Sequence, residues 1–295
     1  MTHKAFALLV ILAGLWGGSF VFIKLGAYEF GPAPLMFIRV AIASLFLLVV
    51  LHFKRGLQGL STNTMLFFIV GAFNQALPFY FFAYAELTLS ASATSIINAT
   101  TPFWSALVAF LWISVRLTLL QVSGMLMGLC GVVVLVWKDA IAPDDAQAGL
   151  LAPLAILAAT FLYGVSANFI KKRLSDVDPL EVATGSMIGA SLALLPFALL
   201  NWPTTAISGS AWMSVVALGL LCTGVAYIIF FYLIHSIGPT STVSVTYMIP
   251  AFGVLWGTTF LGEALTQYTV IGPALLLLGI HFPTLLVTFQ RWKNP

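Results

Sequence analysis

The chain has 295 residues, 61% of them hydrophobic and 7% charged, with a formal net charge of +3 and a mean hydropathy of +1.06. A soluble domain carries roughly a quarter charged residues, so water is excluded as the solvent for most of this surface. The basic residues stand in short clusters beside apolar runs rather than along a groove with polar readers, which argues against nucleic acid as a partner.

A spanning helix needs about 20 apolar residues to cross roughly 30 Å of hydrocarbon. Apolar runs between charge and turn clusters predict ten such spans. The first five lie near Ala5 to Leu25, Ala33 to Leu51, Thr64 to Ala85, Ala91 to Ile113 and Leu119 to Trp137. The second five lie near Gly149 to Lys171, Pro179 to Leu200, Gly209 to His235, Ser241 to Leu261 and Gln267 to Phe289. Met1 to Gly14 has the basic start and apolar run of a signal peptide, but the spans that follow favour a retained first helix. Breaks such as Gly31-Pro32, Asp178-Pro179 and Gly238-Pro239 separate neighbouring helices. One set of span ends holds Lys4, Lys54, Arg55, Arg116, Lys171, Lys172, Arg173, Arg291 and Lys293; the other holds only Lys24, Arg39 and Lys138. The positive-inside rule then puts both termini in the cytoplasm, in a multi-pass inner-membrane protein. Cys130 and Cys222 fall in apolar runs without CxxC spacing or nearby His, so neither a disulfide framework nor a zinc site is predicted.

Sliding the sequence on itself by 147 residues aligns Trp16-Gly17-Gly18-Ser19-Phe20-Val21-Phe22-Ile23-Lys24 with Tyr163-Gly164-Val165-Ser166-Ala167-Asn168-Phe169-Ile170-Lys171. One residue further on, Tyr84, Pro102, Thr118, Gly124 and Gly131 fall on Tyr232, Pro250, Thr266, Gly272 and Gly279. The expected domains are two five-helix repeats, residues 1–147 and 148–295. Five is odd, so the second repeat enters the bilayer from the opposite side. That inverted plan recurs among secondary transporters, which hold substrate near the midplane and expose it alternately.

The sequence W-G-G-S-F at Trp16 to Phe20, the end of span three at Phe79 to Leu87 and the stretch Asn98-Ala99-Thr100-Thr101-Pro102 resemble the drug/metabolite transporter superfamily. Tyr247-Met248-Ile249-Pro250 and Leu261-Gly262-Glu263 extend the likeness over the whole chain, to the EamA type with two five-helix repeats. The first-repeat counterpart of Glu263 is Val115, beside Arg116, where the family often has an acid. Abundant aromatics and scarce mid-span charge resemble aromatic amino-acid exporters of the YddG type. The resemblance implies an all-α membrane protein, a basket of ten transmembrane helices around a central cavity with spans five and ten at its periphery.

Polar and helix-breaking residues at helical spacing mark faces turned away from lipid. In span three these are Gly71, Asn74, Gln75 and Pro78, followed by Phe79 and Phe82; in span four, Ser95, Asn98, Thr101, Pro102 and Ser105, with Trp104. Spans eight and nine offer Cys222, Thr223, Tyr227, Thr246, Tyr247, Pro250 and Gly253. Spans one and six add Trp16, Ser19 and Phe20, then Tyr163, Ser166 and Asn168. Amides, hydroxyls and freed backbone groups suit the polar head of an amino acid, while Trp16, Trp104, Tyr163 and Tyr227 suit an apolar side chain. The competing role for any one Ser or Thr is interhelical contact, worth about 0.6 kcal/mol. Glycine pairs at four-residue spacing, such as Gly185 and Gly189, read as close packing within one bundle.

Lys24, Arg39, Glu86 and Glu263 fall near predicted span ends, where snorkelling explains them. Only His281 lies well inside a span. The expected protein is therefore a monomeric secondary transporter of small neutral or zwitterionic metabolites, amino acids first, working by facilitated diffusion in a lipid bilayer. A proton-coupled multidrug or metabolite exporter is the alternative, followed by a membrane receptor or enzyme. No Walker A, HExxH, GxSxG or GxGxxG motif in its required setting occurs, so no catalytic residue, cofactor or metal is expected.

Overall fold

The computed structural model describes residues 2–114, 116–141, 146–238, 241–242, 244–268, 270–275 and 278. Most of predicted span ten, together with His281, Val115 and Trp292, lies outside these, as does the side chain of Trp137. Nine long helices carry the rest. They are α1 (His3–Phe30), α2 (Pro32–Arg55), α3 (Thr64–Ala85), α4 (Ala91–Trp112), α5 (Leu119–Ile141), α6 (Ala146–Arg173), α7 (Pro179–Leu200), α8 (Gly209–Ile237) and α9 (Val245–Leu261). Seven, all but α5 and α9, are long and apolar enough to cross a membrane; those two have shorter apolar stretches, Leu119–Leu135 and Val245–Leu261. No strand occurs among the described residues.

Local chemistry sets the boundaries. Thr2 and Ser208 accept from backbone N–H groups in the first turns of α1 and α8. Asp178 caps α7, with Pro179 at its first helical position. Gly31, at φ 75°, lets the chain turn between α1 and α2, a conformation that L side chains resist. Leu45, Val49, Leu111, Leu126 and Phe197 are exposed, as lipid-facing helices require.

The packing alternates. The main neighbours of α1 are α8 and α9, those of α2 are α7 and α8, those of α3 are α6 and α7, and those of α4 are α6 and α9. The eight helices thus close a ring in the order α1, α9, α4, α6, α3, α7, α2, α8, while α5 lies outside it against α4 and α6. Glycines let the backbones approach at the junctions. A Cβ on Gly17 would meet Phe252 and the backbone of Gly253 in α9, and one on Gly164 would meet the backbone of Trp104 and Ser105 in α4. Gly71 meets the backbone of Ser186 and Ala190 in α7, and Gly219 meets Arg39 and Ile42 in α2. Gly185 and Gly189 abut Phe67 and Phe68 of α3, so this pair packs within the bundle.

Two helices widen. Gly71–Ala76 in α3 and Leu220–Val225 in α8 form π-helical turns. In α3, Pro78 has no N–H for the Asn74 carbonyl, so the ordinary i→i+4 ladder fails inside the turn. In α8, the Thr223 hydroxyl donates to the Leu218 carbonyl five residues back at 2.8 Å.

Candidate functional site

Both π turns face the same neighbourhood, and a cation occupies it. Arg39 on α2 is only 6% exposed. Its Nε donates to Thr223 Oγ1 in the α8 turn at 3.0 Å, and its guanidinium lies 3.7 Å over the Phe79 ring of α3. Tyr163, Cys222, Tyr227 and Glu86 lie within range of its charge. At the other turn, Gln75 Nε2 donates to Ser186 Oγ of α7 at 3.2 Å, and the Tyr227 hydroxyl lies beside Gln75. The two contacts stand at the offsets of the sequence's alignment on itself: 147 residues separate Arg39 from Ser186, and 148 separate Gln75 from Thr223.

Aromatic rings surround this polar pair. Phe20 meets Phe82 edge-on at 5.9 Å, and Phe82 stacks on Tyr163 at 6.0 Å. A second run passes from Trp16 through Phe230 and Phe231 to Tyr227. The expected residues Trp16, Phe20, Gln75, Phe79, Tyr163, Thr223 and Tyr227 therefore share one connected group built from α1, α2, α3, α6 and α8.

The others sit elsewhere. Helix α4 breaks between Asn98 and Thr101, where Pro102 cannot bond the Asn98 carbonyl and the Thr101 hydroxyl takes it at 2.8 Å. Thr100 bonds Thr160 of α6 at 3.1 Å, and Asn168 donates to the Ser105 carbonyl at 3.0 Å. These contacts bind α4 to α6, so Asn168 has an interhelical role. Trp104 packs edge-on against Phe161. Ser19 bonds back to the Trp16 carbonyl of its own helix. Asn74, Thr246 and Tyr247 are half-buried, and Pro250 is buried inside α9. Several polar atoms here are buried without a hydrogen-bond partner: Gln75 Oε1, Trp104 Nε1 and Ser166 Oγ.

The structure corrects the snorkelling of the charged residues. Arg39 does not reach out of its helix end, because its head is held inward by Thr223 and Phe79. Glu86 is 0% exposed in the link between α3 and α4, with both carboxyl oxygens unbonded. Lys24 donates to the carbonyls of Glu86 and Leu89 at 2.6 and 2.8 Å, fastening α1 to that link. Glu263 accepts from the backbone N–H groups of Ala91 and Ser92 at 2.7 and 3.0 Å, capping α4 from the end of α9. Glu29 accepts from the Ser208 N–H at 2.7 Å and fixes the start of α8 in the same way. Sequence reasoning left Arg39 out of the candidate lining; the signal of its burial was its depth, seven residues beyond Pro32.

Two cavities lie elsewhere. One of about 630 Å³ opens between α2, α3 and α7, beside Pro34, Ala76, Tyr80, Phe197 and Asn201. The other is a shallow apolar groove of about 410 Å³ on α8, near Trp212 and Leu221. Neither contains an expected binding residue. Among the described residues no group of three or more His, Cys, Asp or Glu could hold a metal ion. Both cysteines are free, Cys222 buried and Cys130 exposed on α5.

A ring of apolar helices around an aromatic and polar interior defines the class: a multi-pass membrane transporter. The chain belongs to the EamA-like transporter family, whose model matches it twice, at residues 4–137 and 150–284. It is 26% identical over 291 residues to an uncharacterized transporter of Archaeoglobus fulgidus, covering 96% of this chain and 98% of the relative. It is 25% identical to a probable terminal-alkyne amino-acid exporter of Streptantibioticus cattleyicolor, over 94% of this chain and 92% of that protein. A probable amino-acid metabolite efflux pump of Escherichia coli is also 25% identical, over 100% and 98%. A solved crystal structure superposes with a TM-score of 0.70 at 21% identity, over 100% of both chains, a likeness of fold alone.

Proposed function

We propose that the chain is a secondary carrier that exports small neutral or zwitterionic metabolites, above all amino acids with aromatic or hydrophobic side chains, by alternating access. The observation that carries this reading is the alternation of helices around the ring, with every helix of α1–α4 packed between two of α6–α9. Such a wall can open on either side by rocking one half against the other, leaving the lining residues in place. The two family matches and the counterpart contacts Arg39–Thr223 and Ser186–Gln75 support two five-helix repeats, residues 1–147 and 148–295, inserted in opposite orientations. We place the solute in a central cavity among Trp16, Phe20, Gln75, Phe79, Tyr163 and Tyr227, with both termini in the cytoplasm. The names of the relatives, an amino-acid exporter and a metabolite efflux pump, agree with this solute class.

Transport runs down the solute's own gradient. The test is reconstitution in liposomes with L-phenylalanine. A solute gradient alone should give saturable flux, and a proton gradient alone should give no accumulation. Uphill accumulation on a proton gradient would instead select a proton-coupled exporter, the reading that the unbonded carboxyl of Glu86 favours.

A further inference from the structure

A guanidinium buried without a carboxylate in contact is costly, and proteins rarely retain one that serves packing alone. Arg39 has neutral partners only: Thr223 Oγ1 at Nε, the Met36 sulfur at 3.9 Å from Nη1, and the face of Phe79. Among the described residues no carboxylate lies within 4.0 Å of it, Glu86 acting on its charge only from further away, and the one ion pair joins Arg55 to Asp178 at 3.1 Å. Nη2 donates to no protein group among the described residues. The fold does not need the charge at this junction, because the counterpart junction is closed by the neutral Gln75–Ser186 bond with the same glycine-mediated approach beside it.

What remains at Arg39 is the outer edge of a planar, permanently charged fork. That geometry matches the two oxygens of a carboxylate, and a low-dielectric setting strengthens the pairing. The surroundings describe the rest of the ligand. Phe79, Tyr163 and Tyr227 are close by, with the Phe20–Phe82–Tyr163 stack behind them. Gln75 Oε1 is buried without a hydrogen bond, next to the Tyr227 hydroxyl, and an ammonium could satisfy it.

We propose that Arg39 anchors the carboxylate of the transported solute, which places the apolar side chain among these rings. The assignment rests on the transport reading above and narrows it from neutral or zwitterionic metabolites to carboxylate-bearing ones.

The test is thermal stabilisation of the purified protein by L-phenylalanine and L-tryptophan against their carboxamides, since a ligand of the folded state raises apparent stability. Half-stabilising concentrations should be about ten- to hundredfold lower for the acids, the range that a charged hydrogen bond supplies. In Arg39→Gln the ratio of amide to acid should fall to about one, with Arg39→Lys between. A purely structural Arg39 would alter stability without moving that ratio. If Arg39→Gln does not fold, the wild-type ratio and Arg39→Lys decide. The assignment is overturned if the variants keep the wild-type ratio, if the wild type takes the amides as well as the acids, or if neither acid stabilises it. Arg39-dependent binding without counterflow of the same amino acid would overturn the carrier reading and leave the anchor standing.

Discussion

Glu86 is fully enclosed between α3 and α4, and neither of its carboxyl oxygens is hydrogen-bonded. Burial pushes this carboxyl well above the ordinary carboxylate range; Lys24 and Arg39 pull it down, and Glu263 pushes it up. An acid whose value is raised on folding contributes stability that is complete below the unfolded value, about pH 4.3, and lost as pH rises through the folded one. The melting temperature in detergent should therefore fall with rising pH more steeply for the wild type than for Glu86→Gln. Parallel curves would show that folding does not raise the value of this carboxyl. A second residue-scale prediction concerns Trp16, whose ring meets Phe230 at 5.4 Å in the aromatic group. Trp16→Ala should lower flux of L-phenylalanine while the protein stays folded by size-exclusion profile, and unchanged flux would remove Trp16 from the lining. At this scale the grouping of the aromatic residues of the candidate site was legible from their types and spacing, whereas the inward turn of Arg39 was not. Its position near a helix start suggested an exposed head, and Thr223, which turns it inward, lies 184 residues away in sequence.

The π turn of α8 depends on one hydroxyl with two tasks. Thr223 Oγ1 donates to the Leu218 carbonyl and accepts from Arg39 Nε. Thr223→Val keeps the shape and removes both bonds, leaving a buried guanidinium donor unpaired. It should destabilise the protein by about 1–3 kcal/mol, read from reversible denaturation in mixed micelles. The helix contacts make a separate prediction. Gly17→Leu and Gly164→Leu would drive side chains into the backbones of α9 and α4, and each should cost about 1–3 kcal/mol or abolish folding. Wild-type stability in both would contradict the close approach. The elements themselves were legible, since long apolar runs bounded by Gly-Pro and Asp-Pro breaks gave nine helices near their observed limits. The π turns were not. Gly71 and Pro78 signalled a fault in α3, but α8 has no proline, and its turn arises from a side-chain bond that periodicity does not register.

At the scale of the whole molecule, the ring order follows from how the halves interleave. No helix of α1–α4 has a sequence neighbour as its main packing partner. The repeat of Trp16-Gly17 at Tyr163-Gly164 was readable as a pattern, yet its structural use emerged only in three dimensions: each glycine admits the backbone of a helix from the other half. Every junction of this wall joins one of α1–α4 to one of α6–α9, so under the proposed carrier reading a movement of one set against the other would alter both faces of the ring. The most direct measurement is counterflow in proteoliposomes, with unlabelled L-phenylalanine inside and a trace of labelled L-phenylalanine outside. The account predicts transient, saturable accumulation of label that is absent from protein-free vesicles and weakened by Arg39→Gln. Label that only equilibrates, at a rate indifferent to the internal amino acid, would contradict an alternating site.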